Sequence, residues 1–128
     1  MLLICSNALV LVSEARAARV PPRLVLAVAY TESRCQSDAV STLGARGIMQ
    51  VMPFWTKNRV MARRCRGTNL FDARIGACFG ARILRHYFSR SHSWRVALQR
   101  YNGSSGPRYF NEVRRSLQRV YISQGWPQ

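Results

Sequence analysis

Carboxylates are scarce in this chain. Five acidic residues, Glu14, Glu32, Asp38, Asp72 and Glu112, stand against 20 lysines and arginines, and lysine itself occurs once, at Lys57. The formal charge of +15 is therefore almost wholly arginine. With 48% hydrophobic residues, the 128-residue chain can build one core that buries about two-thirds of its unfolded surface, so the charge must lie outside. A basic field of this size attracts polyanions, whether nucleic acid, anionic lipid or wall polymer, without choosing among them.

Other absences narrow the field further. There is no Cys-x-x-Cys pair, and His86 and His92 do not complete a zinc pattern, so no metal site is expected. No helix-turn-helix or zinc-finger pattern supports specific nucleic-acid recognition. No run is long enough for a transmembrane helix. No segment has a strand pattern, no internal repeat occurs, and nothing is low in complexity. Residues 2–12 resemble the apolar part of a signal peptide, with Ala15-Arg16-Ala17 as a cleavage site, but no positive charge precedes them. They read equally as an amphipathic first helix, and we adopt that reading because cleavage would remove Cys5 and leave an odd number of cysteines. The four cysteines, Cys5, Cys35, Cys65 and Cys78, allow three pairings. Cys65 with Cys78 would close a short loop worth roughly 3 kcal/mol, and Cys5 with Cys35 would tie the first helix to the end of the second. Buried free thiols in a reducing compartment are the alternative.

What is present is helical almost throughout. The pattern predicts helices over residues 2–18, 22–34 (opened by Pro21-Pro22), 53–62, 73–88, 94–101 and 107–121. Asp72 and Ser93 are candidate caps, and Ile75, Phe79, Ile83 and Tyr87 recur at i+4 spacing. Residues 35–47, 63–71 and 102–106 read as loops.

Glu32 sits awkwardly in this pattern. It shares a helix face with Val25, Val28 and Ala29, and an acid held against apolar surface resists ionising. Such an acid keeps a proton to donate to a leaving group. The plainer alternative is a solvated glutamate in the last turn of a core helix.

Three separated segments give Glu32 a context: Glu32-Ser33, Gly47-Ile48-Met49-Gln50 and Tyr101-Asn102-Gly103. With Asp38-Ala39-Val40-Ser41, the continuation Val51-Met52-Pro53 and Asn69-Leu70-Phe71-Asp72, the chain resembles the family 1 lytic transglycosylases, whose catalytic domain has a goose-type lysozyme-like fold. The resemblance is strongest over residues 22–113. It departs at Ile48, where leucine is usual, at Arg100, where alanine is frequent, and in the loop Gly103-Ser104-Ser105-Gly106.

The resemblance implies a mainly α, single lysozyme-like helical domain over residues 1–128, acting without a cofactor. It implies cleavage of the β-1,4 bond between N-acetylmuramic acid and N-acetylglucosamine in peptidoglycan. Glu32 would protonate the glycosidic oxygen and then, as the base, activate the muramic acid C6 hydroxyl to close a 1,6-anhydro ring. Ser33 would bond near the sugar or Glu32, or else a helix carbonyl. Gln50 would hold an N-acetyl group, or else cap its turn, and the Met49 backbone would line the same subsite. Tyr101 would position Glu32 through its hydroxyl, Asn102 would bind sugar or fix its loop, and Tyr109 would match a later family tyrosine or serve the core.

Composition bears on that mechanism, because an ordinary glycosidase uses two carboxylates. Asp72 has a capping role and Glu14 and Glu112 sit among arginines, so Asp38 is the expected second acid if there is one. The partner expected is the peptidoglycan strand, met by a monomer in the periplasm or cell envelope after export or phage delivery. Accessory work for a secretion or conjugation machine, or phage lysis, fits the small size, and such a location favours the disulfides. Muramidase-type hydrolysis is the alternative reaction, and a basic protein that only binds glycan or nucleic acid is the alternative class.

Overall fold

The computed structural model describes residues 5–124, with side chains through Val120. Six α-helices and a short 3-10 segment make up its regular structure. Helix α1 (Ala8–Ala18) puts Leu11, Ala15 and Ala18 into the core. It starts later than the expected residue 2, and residues 2–4 of that expectation lie outside the described residues. Cys5 is bonded to Cys35, and the Asn7 side chain donates to the Cys35 carbonyl at 3.4 Å, which anchors the chain before the helix begins. Helix α2 (Pro22–Ser33) opens on its proline and buries Val25, Leu26, Ala27, Val28 and Ala29 completely. A helix apolar on every side is thus the central strut.

The helix expected over residues 53–62 is broken. A 3-10 segment (Pro53–Lys57) gives way at Asn58, whose backbone is extended and whose side-chain oxygen accepts the Met61 N–H at 3.0 Å. That cap starts α3 (Arg59–Cys65), so residues 63–65, expected in a loop, complete its last turn. Helix α4 (Ala73–Ser91) is capped by Asp72, which accepts the Ile75 N–H at 3.0 Å, and runs three residues past the expected 88. Ser93 caps α5 (Trp94–Asn102) through the Val96 N–H at 3.2 Å. Helix α6 (Arg108–Gln124) closes the described chain. Between α2 and the 3-10 segment, Arg46 makes isolated bridges to Val40 and Val51, and the described residues contain no longer strand.

Helix α4 packs against α1, α3 and α5, while α2 lies against α1 and α6. The loop carrying Met49 lies against α4, where a side-chain carbon on Gly80 would collide with the Met49 side chain. Both cysteine pairs are bonded, Cys5 to Cys35 and Cys65 to Cys78. The second, with a sequence separation of 13, ties α3 to α4, and closing so short a loop stabilises by roughly 3 kcal/mol. The result is the mainly α, lysozyme-like helical domain. No described helix is long and apolar enough to cross a membrane.

Candidate active site

The last turn of α2 carries Thr31, Glu32 and Ser33, of which the first two fasten to α6 and the third to the loop carrying Ile48. Glu32 is half-buried, and its Oε2 accepts a hydrogen bond from the Tyr109 hydroxyl at 2.7 Å. Burial raises its pKa above the ordinary carboxylate value. The Tyr109 bond works the other way, lowering it, and the nearby Glu112 charge adds a smaller upward push. Tyr109 itself is only 6% exposed, and burial, followed by the Glu32 charge, pushes its phenol well above the ordinary range, so it stays a donor. Thr31 Oγ1 lies 2.7 Å from the hydroxyl of buried Ser116. These two bonds, with a longer one of 3.5 Å from Arg119 to the Tyr30 hydroxyl, hold α6 against the acid-bearing turn.

Ser33 faces the other way. Its hydroxyl donates to the Ile48 carbonyl at 2.6 Å, lies 3.1 Å from the Ala29 carbonyl, and accepts the Gln36 N–H at 3.1 Å. Gln50, at a left-handed φ of 52°, directs its amide nitrogen at the carbonyls of Ala39 and Gly47, 3.1 and 3.0 Å away. The Met49 side chain is fully buried, and its carbonyl accepts the Tyr101 hydroxyl at 2.6 Å. This last bond corrects an expectation. Tyr101 has one hydroxyl proton, it goes to Met49, and the tyrosine that holds Glu32 is Tyr109. Burial, then the Glu32 charge, raises the Tyr101 pKa well above the ordinary range.

Glu32 opens into a cleft of about 200 Å³ whose walls include Thr31, Asn102, Ser104, Arg108, Tyr109 and Glu112. Asn102 is exposed at the end of α5. The Ser104 hydroxyl oxygen is shielded from solvent and has no hydrogen-bond partner. Asp38, the expected second acid, is exposed and does not line this cleft. Glu112 does, paired with Arg108 at 3.7 Å, a helical i,i+4 contact with the arginine 94% exposed. Such a pair is weak and leaves Glu112 available. Thr31, Ser104 and Glu112 escape a reading of the sequence because only the docking of α6 on α2 gathers them. The i,i+4 spacing of Arg108 and Glu112 signals a surface pair and nothing more. A larger cavity, about 450 Å³, lies elsewhere, among α1, α3 and α4.

Comparison with known proteins places the chain in a family. A curated relative, a protein named "Transglycosylase" from Enterobacteria phage PRD1, is 34% identical over 84 residues, which is 66% of this chain and 29% of the relative. The chain thus spans less than a third of that protein's length. The family model described as the transglycosylase SLT domain matches residues 11–122. That span runs from within α1 to within α6, taking in Glu32, the loop bonded by Ser33 and both tyrosines, and the chain belongs to the transglycosylase SLT domain family.

Proposed function

We propose that this domain, taken as one unit over residues 1–128, is a peptidoglycan lytic transglycosylase in which Glu32 serves as acid and then as base. The observation that carries the proposal is the setting of Glu32: half-buried, resistant to ionisation, aimed by Tyr109 and facing a cleft. Glu32 gives its proton to the glycosidic oxygen as the bond from that oxygen to C1 of the muramic acid breaks. The resulting carboxylate takes the proton of the C6 hydroxyl as that oxygen bonds to C1. The ring closes, no water is consumed, and Glu32 ends protonated as it began. A nucleophile within the same sugar has the effective-molarity advantage of being in place. Tyr109 is a positioning residue that steadies the carboxylate between the two transfers.

The remaining residues take supporting roles. Gln50 has both amide hydrogens directed at backbone carbonyls, so its oxygen is what it offers to the N–H of an N-acetyl group. Ser33 and Tyr101 act on the sugar subsite through the loop, by fixing the carbonyls of Ile48 and Met49. Asn102 and Ser104 supply polar groups on the cleft wall. The basic surface and two disulfides suit work beside anionic polymer in a periplasm or cell envelope, for a secretion or conjugation machine or for a phage.

Digestion of purified peptidoglycan tests the reaction. Muropeptides lighter by one water than their reducing-end counterparts are expected, and reducing ends alone would sink the transglycosylase reading. Glu112, standing in the same cleft, favours hydrolysis as the second reading, with two carboxylates sharing the work.

The pH dependence separates the two. The acid step needs protonated Glu32, so the rate falls as pH rises through its raised pKa. Tyr109→Phe removes the bond that lowers that pKa, so the falling limb should move to higher pH while kcat drops about tenfold from lost alignment. Glu112→Gln removes a like charge, so the limb should move to lower pH with kcat within a few-fold of the parent. Loss of turnover in Glu112→Gln on the scale of losing Glu32 would instead favour hydrolysis.

A further inference from the structure

One cavity, apart from the Glu32 cleft, is lined by arginine and by no acid. About 450 Å³ in volume, it has Arg19 at the end of α1, Arg64 on α3, and Arg82 and Arg85 on α4 around an apolar floor that includes Met61. Its lining shares no residue with the Glu32 cleft. Four guanidinium groups around one cavity repel one another, and such a cluster normally answers to acids placed among them. None is. The single ion pair among the described residues is Arg108 with Glu112, and Glu14, one turn before Ala18 on α1, makes none.

The hydrogen-bonding groups are also left open. Arg82 is half-buried, and its Nε is shut off from solvent with no hydrogen-bond partner. Leaving such a donor unpaired is costly. The Arg19 and Arg64 side chains likewise make no hydrogen bond or ion pair among the described residues, while Arg85 directs one nitrogen to the Arg19 carbonyl at 3.2 Å and lies over the Phe88 ring. The frame that holds them is stiff. Cys65, next to Arg64, is bonded to Cys78, one turn before Arg82. The arginines of α3 and α4 are thus held in fixed register without any attraction between them.

We propose that this cavity is a binding site for a phosphate-type oxyanion, either a soluble phosphate compound or the headgroup of an anionic phospholipid. Guanidinium forks match phosphate oxygens two at a time. The volume lies within the range of about 300–1,000 Å³ usual for small-molecule sites and exceeds what one inorganic ion fills. The apolar floor would meet the carbon part of a headgroup. The site is separate from the Glu32 cleft, so it stands or falls independently of the reaction proposed there.

Calorimetric titration of the full chain with pyrophosphate, and sedimentation with phosphatidylcholine vesicles with or without phosphatidylglycerol, at one ionic strength, tests the site. Saturable binding is expected to one probe or both, and the probe that binds names the source. Arg64→Gln with Arg82→Gln should weaken it about tenfold or more, as loss of charge-assisted bonds would. Arg114→Gln with Arg115→Gln, the same charge change on α6, should alter it about twofold or less. Equal loss in both variants would mean attraction to net charge alone and would overturn the site, as would no saturable binding to either probe. If Arg82→Gln does not fold, the exposed Arg64→Gln alone decides, since an undiminished affinity in that variant also overturns the proposal. Glycan cleavage should be unchanged in Arg64→Gln.

Discussion

Glu32→Gln is expected to lower the rate of glycan cleavage by about 10²–10⁴-fold, the usual worth of a positioned acid–base group. The amide keeps the shape of the carboxyl and can still accept the Tyr109 hydroxyl, so the fold should survive. Stability should even rise at neutral pH. Glu32 holds its proton more tightly folded than unfolded, so native stability falls as pH climbs from the ordinary value of 4.5 through the raised folded value. Above that window the full cost of a half-buried carboxylate is present, and glutamine does not bear it. Melting curves at pH 4 and pH 7 should therefore coincide with the parent at the lower pH and lie above it at the higher. A variant that clears cell walls at the parental rate would remove Glu32 from the mechanism.

Gly47→Ala should be the most damaging small change in the loop. Gly47 has a φ of 81°, and a methyl group there would run into the Leu70 carbonyl, whose carbon would lie 3.0 Å away. Left-handed geometry costs an alanine on the order of 1 kcal/mol. The clash adds more because the obstacle is backbone and cannot swing aside, so a total loss of roughly 2–4 kcal/mol is expected. In a chain of this size that lowers the melting temperature by roughly 10 °C. Gly44→Ala is the control: φ is 93° but nothing lies within 4 Å, so only the conformational part should be lost. Activity measured where both variants remain folded should fall further in Gly47→Ala, since Gln50 and the Met49 carbonyl ride on the displaced segment. Equal melting temperatures for the two variants would show that Leu70 yields to the methyl group.

The local rules served where a signal was local. Asp72 and Ser93 cap as their positions suggest, Pro22 opens α2, and the apolar face shared by Val25, Val28 and Ala29 does abut Glu32. The stops were harder to read. Four helices end on Arg19, Arg34, Arg66 and His92 in the left-handed conformation where glycine usually stands, so no glycine marked the end of α4, and at α3 Gly67 stands one residue beyond the left-handed position. Asn58 was a legible cap, hidden by the proline that opens the segment before it.

The site itself was legible only as a set of short segments. Which tyrosine reaches Glu32 depends on how α6 lies across α2, at a sequence separation of 77, and no spacing rule spans that interval. Asp38 is near Glu32 in the chain and Glu112 is near it in space, for the same reason.

That dependence on α6 has a kinetic side. The helix carries no disulfide and is held to α2 and α5 by Tyr109, Ser116, Arg119 and the stacking of Arg95 on Phe110, so it can open while the disulfide-tied elements stay folded. Each opening returns Glu32 to water and to the acidity of an ordinary glutamate. An unfolded chain is in the same condition. The perturbed acid exists only while α6 is docked, and on warming, inactivation should run ahead of melting.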